Sequence, residues 1–387
     1  MSTINNPLQS LRKGNWFKLI CGASFQDLPA VRNLTLAYTL AGADCIDVAA
    51  DPAAIVAAKE GLAAASQVSE IDRQPWLMVS LNDAEDPHFR KAEFDPACCP
   101  ADCPRPCERI CPADAIVFDT PSSLDPLAPL FSGVVDRRCY GCGRCLPICP
   151  IGAIGTRSYV SAPSTVAPVL LDTGVDAVEI HTQVGHGEDF QRLWQAIEPC
   201  LDRLQLVAVS CPDHPDLIDY LRSIVALISE LPCALVWQTD GRPMSGDLGA
   251  GTTRAAIALS QKVLAAELPG YVQLAGGTND RTVPKLQQLG LLPMGETQRS
   301  VAGVAYGSYA RKLLSPTLNQ LEQVYLTKSQ LMSPLAPSIS LRLEDYPNLL
   351  AEAVERARFL VSQLKPQDEL WDWEKALANF SRSQPTR

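Results

Sequence analysis

Four cysteines crowd into the twelve residues CYGCGRCLPICP, Cys139 to Pro150. The run reads Cys139-x2-Cys142-x2-Cys145-x3-Cys149-Pro150. Spacers that short let three thiolates converge on one face of an iron–sulfur cube, while the fourth reaches a different cluster. Upstream lies CCPADCPRPCERICP, in which Cys99, Cys103, Cys107 and Cys111 recur every fourth residue and Pro112 follows the last. The pattern assigns Cys139, Cys142, Cys145 and Cys111 to one cluster. It assigns Cys99, Cys103, Cys107 and Cys149 to the other, so that each Cys-Pro corner crosses to the opposite set. Two structural zinc sites are the alternative, since zinc also takes four thiolates. Zinc motifs pair two short C-x2-C knuckles, however, and a triple run closed by Cys-Pro favours iron and sulfide.

The second run has the spacing of bacterial ferredoxins, and the 27 residues between Cys111 and Cys139 suit the crossed halves of a two-cluster module. Gly141 and Gly143 leave backbone N–H groups free to face the sulfurs, and Pro150, lacking an N–H, turns the chain away. The looser first run resembles that of seven-iron ferredoxins. The second cluster is therefore expected to be labile and to exist as 3Fe-4S or 4Fe-4S, with Cys103 as ligand to the corner iron. Cys98 is a spare or an alternative ligand. Arg137, Arg138 and Arg144 crowd the second run; they either raise a cluster's potential modestly or form a solvated basic rim. Cys21, Cys45, Cys200, Cys211 and Cys233 stand in apolar contexts, as core thiols do.

What positions this segment? Residues 91–160 hold 9 of the 14 cysteines and 10 of the 31 prolines, with little periodicity of their own. Whatever the cysteines bind must hold such a segment together. The flanks alternate strand and helix. NWFKLICGAS, DCIDVAA and PWLMVSL read as strands one to three, separated by two helical stretches, the second opened by Asp51 as N-cap with Pro52 at N1. AVEIHTQ, LQLVAVSC, CALVWQTD, YVQLAGGTN and VAGVAYGS continue as strands four to eight, again with helices between them. Eight βα units predict an α/β fold, a (β/α)8 barrel of about 250 residues. A doubly wound open sheet is the alternative. The expected divisions are residues 14–90 as the first part of the barrel and 91–160 as a ferredoxin-like insertion after strand three, at the C-terminal rim. Residues 161–330 are the rest of the barrel, and 331–387 a C-terminal helical extension with a frayed tail, SRSQPTR.

Glycine-rich loops after strands seven and eight form the recurrent phosphate site of barrels. Gly276 and Gly277 end strand seven. Gly307, Ser308 and Tyr309 open the helix after strand eight, and Arg311 adds charge. These residues are candidates for a phosphate or flavin site, against ordinary tight turns as the alternative. GRPMSGDLGAGTTR after strand six, with Gly249 and Gly251 ahead of Thr252, is a lid or a further anion site. It is not a P-loop, because the Gly-Lys-Ser/Thr ending is missing. Asp47, Glu179, His181 and Asp240 fall on strands or at their ends, and His181 is the leading candidate for proton transfer. A satisfied structural role is the alternative for each.

The chain has 387 residues, a net charge of −10 and a pI near 5.0, which argues against nucleic acid as its main partner. It contains no 18-residue apolar run and no hydrophobic leader, so neither a membrane span nor a secretory signal is expected. The expected compartment is the cytosol, where so many cysteines read as metal ligands or buried thiols rather than disulfides.

With both cysteine runs, and NWFKLICGASFQDLPAVRNLTLAYTLAGADCIDVAADP before them, the chain resembles the cyanobacterial light-dependent period (LdpA) family over most of its length. The resemblance implies a redox-active iron–sulfur protein that feeds redox state, and so light intensity, into the circadian clock. It implies a clock-input histidine kinase and the core clock proteins as partners. A redox pool or ferredoxin-type protein would exchange the electrons. The residues themselves leave two other readings open: an iron–sulfur flavoprotein oxidoreductase with its ligand on the barrel, and a scaffold whose clusters merely staple the insertion.

Overall fold

The computed structural model describes residues 7–69, 74–120, 130–228, 231–242, 251–293, 300–331, 341–366 and 370; the expected tail and Gly249 lie outside them. Helix α1 (Pro7–Lys13) precedes strand β1 (Trp16–Gly22), followed by α2 (Leu28–Ala41), β2 (Cys45–Ala49), α3 (Pro52–Val68) and β3 (Trp76–Asn82). Asp27 and Asp51 cap the two long helices by accepting from the backbone N–H of Ala30 and of Ala53 and Ala54, and Gly42 ends α2 in the left-handed region. Next come β4 (Arg90–Glu93), α4 (Pro106–Ile110), β5 (Ile116–Thr120), β6 (Phe131–Val134), α5 (Cys145–Ile148) and β7 (Gly155–Ser158). The alternation then resumes with α6 (Pro163–Asp172), β8 (Ala177–His181), α7 (Gly187–Ile197), β9 (Leu206–Pro212), α8 (Leu217–Leu227) and β10 (Ala234–Asp240). It closes with α9 (Thr253–Ala265), β11 (Tyr271–Ala275), α10 (Thr282–Gln288), β12 (Gly303–Tyr306), α11 (Ser308–Leu331) and α12 (Pro347–Val361).

Eight strands close a parallel barrel in the order β1-β12-β11-β10-β9-β8-β3-β2, as the alternation of eight βα units requires. Successive residues of a strand face opposite sides. Phe17, Leu19, Val48, Val79, Ile180 and Val209 turn outward into the main core beneath the helices. Inside, Trp16, Cys45, Met78, Ala177, Ala208 and Val236 fill the N-terminal end with apolar side chains. One layer higher the interior is polar, with Lys18, Asp47, Glu179, Gln238 and Gln273 all buried.

The cysteine segment leaves the barrel after β3 and returns before α6. In it β4 pairs with β7 and β5 with β6, both antiparallel. Asn82, fully buried at the end of β3, ties the two ends of the insert together. Its Nδ2 donates to the Ala84 and Tyr159 carbonyls at 2.8 and 2.9 Å, and its Oδ1 accepts from the Ser161 backbone N–H and hydroxyl, both at 2.8 Å. Lys91 on β4 reaches across the same seam, donating to Gln26 Oε1 at 2.8 Å on the barrel side and pairing with Asp136 at 3.0 Å on the insert.

Beyond the eighth unit, α12 buries Leu350, Ala353, Val354, Ala357, Leu360 and Val361 in the same core as α2. Just after it, the buried Lys365 pairs with Asp44 at 2.8 Å and donates to Ser10 at 3.2 Å. The C-terminal helix is thereby fastened to the N-terminal face of the barrel.

Candidate functional site

The insert is two strand–helix–strand halves whose helices end alike. Cys111 closes α4 at φ −69°, ψ 112°, and Cys149 closes α5 at φ −68°, ψ 115°. In each half the fourth residue on donates back to the sulfur: Ala115 N–H to Cys111 Sγ and Ala153 N–H to Cys149 Sγ, both at 3.3 Å. The turn between needs left-handed backbone, taken by Asp114 (φ 46°) in one half and Gly152 (φ 63°) in the other. These turns are the hexapeptides CPADAI and CPIGAI, an internal repeat that was readable in the sequence and that spacing arguments alone passed over.

The thiols fall into two groups. Burial first, and then the neighbouring Cys142, Cys139 and Cys111, push the Cys145 thiol up to about 12. Cys142 is raised by burial and then by Cys111 and Cys139, against the backbone N–H of Arg144. In the other half, burial and then Cys103 and Cys149 raise Cys99, and burial raises Cys107 with Cys149 and Cys99 adding to it. Cys149 moves the other way: burial opposes its thiolate, but the N–H groups of Ile151, Ala153, Ile154 and Gly152 outweigh it. The structure thus gathers Cys139, Cys142, Cys145 and Cys111 in one place and Cys99, Cys103, Cys107 and Cys149 in another. Cys98 is exposed.

These residues fit iron–sulfur clusters. A cavity of about 20 Å³ lies among the first four thiols, walled by Ala92, Ala115 and Ile116. The Ala92 N–H donates to Cys139 Sγ at 3.3 Å. Four convergent sulfurs, backbone donors and an apolar wall are what a cluster asks of a protein. Gly141 has another duty beside its N–H: at φ 70° it presses on β4, where an added Cβ would lie 2.1 Å from the Arg90 carbonyl oxygen. Of the three arginines, Arg144 lines the cluster cavity. Arg138 instead reaches Glu322 on α11 at 2.6 Å and Asp27 at 3.8 Å, and so joins the insert to the barrel.

Tyr140 and Cys142 carry the first thiol group onto the barrel mouth, where they line a cavity of about 60 Å³. Gly276, Gly277, Gly307, Ser308, Tyr309 and Arg311 all line this cavity too. It has room for a few waters or a small oxyanion; flavin-sized ligands occupy pockets of about 300 Å³ or more. Arg311 is engaged rather than free. Its Nη1 donates to the Ile20 and Cys21 carbonyls at 2.8 and 3.0 Å, its Nη2 to Ser308 at 3.1 Å, and its plane lies 4.0 Å over the Tyr140 ring. It brings its charge to the cavity wall and at the same time serves as a strut between β1 and the cysteine loop. Gly276, at φ +64°, packs where a Cβ would fall 2.3 Å from Asp240 Oδ1, so the tight turn explains it without a ligand. Thr252 donates to the Gly277 carbonyl at 2.8 Å.

Below the cavity the four scattered strand residues meet. Lys18 Nζ pairs with Asp47 at 3.0 Å and with Glu179, and donates to Gln238 at 3.1 Å. Burial works against its charge, but Asp47 and Glu179 outweigh it and hold the amine above its ordinary value. Lys18 is therefore a buried ammonium, not an amine nucleophile. His181 Nε2 lies 2.9 Å from Glu179, and its Nδ1 3.7 Å from Asp86. Burial opposes its charge too, yet Glu179 first and then Asp86 and Asp240 push it up to about 9. His88 packs against it with ring centroids 4.9 Å apart. Sequence reasoning missed Lys18, Asp86, His88 and Tyr140. The DPHF stretch directly after strand three was the available signal for two of them, since barrels keep their chemistry at strand ends.

Comparison with known proteins agrees with this arrangement. Residues 99–160 match the LdpA Fe-S cluster-binding domain, and residues 169–363 match the light dependent period A C-terminal domain. Light dependent period A from Synechococcus elongatus is 52% identical over 359 residues, 93% of this chain and 94% of that protein. Among solved structures, the apo form of the homocysteine methyltransferase MmuM from Escherichia coli overlaps 79% of this chain and 98% of its own, with 13% identity and a TM-score of 0.38, a level that says nothing about activity. The Fe-S domain match gives the cysteine insert its cofactor class, iron–sulfur, and with identity of this extent the chain belongs to the light dependent period A family.

Proposed function

We propose that this protein is a cytoplasmic redox sensor that carries light input to the circadian clock through two iron–sulfur clusters. One is held by Cys139, Cys142, Cys145 and Cys111, the other by Cys99, Cys103, Cys107 and Cys149. The observation that carries the reading is the crossed grouping of thiols, each three from one run and a Cys-Pro from the other. Bound clusters supply one-electron exchange. The chain's own residues tune and seat them: the N–H groups of Ala92, Ala115 and Ala153 donate to sulfur, which favours the more negative, reduced state. Two of the first four thiols are buried, Cys139 and Cys145, but only Cys107 of the second. The second thiol group is the more exposed, which suits a labile 3Fe-4S or 4Fe-4S centre and an electron partner from the redox pool or a ferredoxin-type protein.

The output is binding to a clock-input histidine kinase or to core clock proteins. Capture of that kinase by oxidised and by reduced protein should differ; equal capture in both states sinks the sensor reading. Iron and sulfide quantitation with electron paramagnetic resonance on anaerobic protein tests the cofactors separately. Two identical, stable 4Fe-4S signals would reject the labile second cluster.

A second reading has its own observation: Tyr140 and Cys142 line both the cluster pocket and the barrel-mouth cavity. An oxidoreductase acting there would pass electrons to a flavin or a phosphorylated ligand, and the cavity volume favours the smaller of these. Stoichiometric flavin or phosphate released by acid would move this reading ahead of the first.

A further inference from the structure

We propose that the barrel mouth binds one first-row divalent cation, held by the imidazoles of His88 and His181 with the carboxylate of Asp86. The ligand atoms of Asp86, His88 and His181 all lie within 4.8 Å of one another. Two nitrogen–oxygen pairs share Asp86 Oδ1: His88 Nδ1 lies 2.8 Å from it and His181 Nδ1 3.7 Å, the latter too long for a hydrogen bond. Two ligand atoms sharing a tetrahedral ion at about 2.1 Å would stand about 3.4 Å apart, so each pair needs little adjustment to straddle one.

The surroundings are those of a metal site. The other ring nitrogens face carboxylates outside the ligand group: His181 Nε2 is held by Glu179 at 2.9 Å, and His88 Nε2 lies 3.7 Å from Asp240. Such outer contacts fix ring orientation and tautomer for coordination. Glu179 is itself braced by Lys18 and Gln238. Lys18 pairs with Asp47 and Glu179, while Asp86 and Asp240 face the two imidazoles. Two protons on the imidazoles and one divalent cation bring the same charge to these carboxylates, so the ion competes with protons and should bind more tightly as pH rises. The adjoining cavity of about 60 Å³ leaves room for water on the ion.

The donor set is nitrogen and oxygen, harder than the cysteine groups, and selects zinc, manganese or ferrous iron rather than a thiolate-bound centre. It is also assembled from two parts of the fold. Asp86 and His88 come from the foot of the insert, His181 from the end of β8. An ion here would clamp the insert to the barrel. The inference stands apart from the sensor reading, because it uses no cysteine and no redox step.

The test uses the full chain, cluster-loaded and prepared without oxygen in zinc-free medium. Zinc is titrated against a chromophoric chelator, with iron and sulfide counted before and after. One zinc per chain beyond the cluster iron is expected, with unchanged iron and sulfide. His88→Gln and Asp86→Asn should each weaken its binding at least tenfold. X-ray absorption at the zinc edge of the unsubstituted protein should show nitrogen and oxygen neighbours only, a readout that needs no variant to fold. Absence of bound zinc, sulfur in its coordination shell, or equal affinity in both variants would overturn the proposal.

Discussion

At the residue scale the fourteen cysteines divide by what surrounds them, and their reactivity should divide the same way. Cys98 is exposed beside Cys99 of the second group, Cys21, Cys45, Cys200 and Cys211 are buried, and Cys233 is half-buried with its thiol pushed up to about 11 by burial. Burial, only partly offset by Arg311, pushes Cys21 up to about 12. At pH 8 its thiolate is then about one part in ten thousand. Iodoacetamide at pH 8 should modify Cys98 alone in the anaerobic, cluster-loaded chain. The eight grouped cysteines should follow once a chelator has removed the iron, and the four buried ones, with the half-buried Cys233, should stay unmodified throughout. Peptide mass spectrometry reads all three classes, and early labelling of Cys139 or Cys145 would speak against a bound cluster there. Lys18 offers a second case. Lys18→Met leaves Asp47 and Glu179 buried without their partner, and should cost about 3–5 kcal/mol in urea unfolding. Asp47→Asn should cost far less. Burial first, and then Glu179, raise that carboxyl to about 6 against the pull of Lys18, so its charge is already disfavoured. The contrast between these two sites explains what was legible in the sequence. The cysteines announce themselves because cluster geometry requires short spacers along the chain. Lys18, His88 and Glu179 lie far apart in sequence and meet only when the barrel closes, and a lone lysine or histidine carries no spacing signal.

At the scale of elements, the barrel strands were readable because each is an apolar run bounded by capped helices, such as β2 between Gly42 and the Asp51–Pro52 cap. The insert's strands were not. β4, β6 and β7 are four residues long, and β7 is exposed along its whole length, so no alternation marks them. Their order comes instead from the seam with the barrel, where Asn82 is the main tie. Its amide makes four hydrogen bonds that no other side chain can replace in that shape. Asn82→Ala should destabilise the neck by about 1–3 kcal/mol, because buried carbonyls lose their donor. Hydrogen exchange should speed up over β4 and β7 while β9 and β10 keep their protection. Uniform loss across the barrel would show that Asn82 serves the whole fold rather than the neck.

At the scale of the whole molecule, two cores of unequal strength are joined. The main core runs from β1 to α12 and is closed by large apolar side chains. The insert's separate core consists of Ala92, Cys107, Ala115, Ile116, Cys139, Cys145 and Ile154 among the described residues, so three of its seven buried members are thiols. So small a core does not repay the conformational entropy of ordering β4 to β7, and domains of this size usually rely on a metal or disulfides. The insert's order is therefore expected to come largely from what its cysteines bind, whereas the barrel's does not. Removing iron anaerobically with a chelator should abolish exchange protection between Arg90 and Ser158. It should leave β1–β3 and β8–β12 protected, with the far-ultraviolet dichroism nearly intact. A single melting step shared by both parts, at a temperature that falls as iron is removed, would mean that the clusters support the barrel as well. In that case a change of cluster state would be felt throughout the molecule rather than at the insert's outer face.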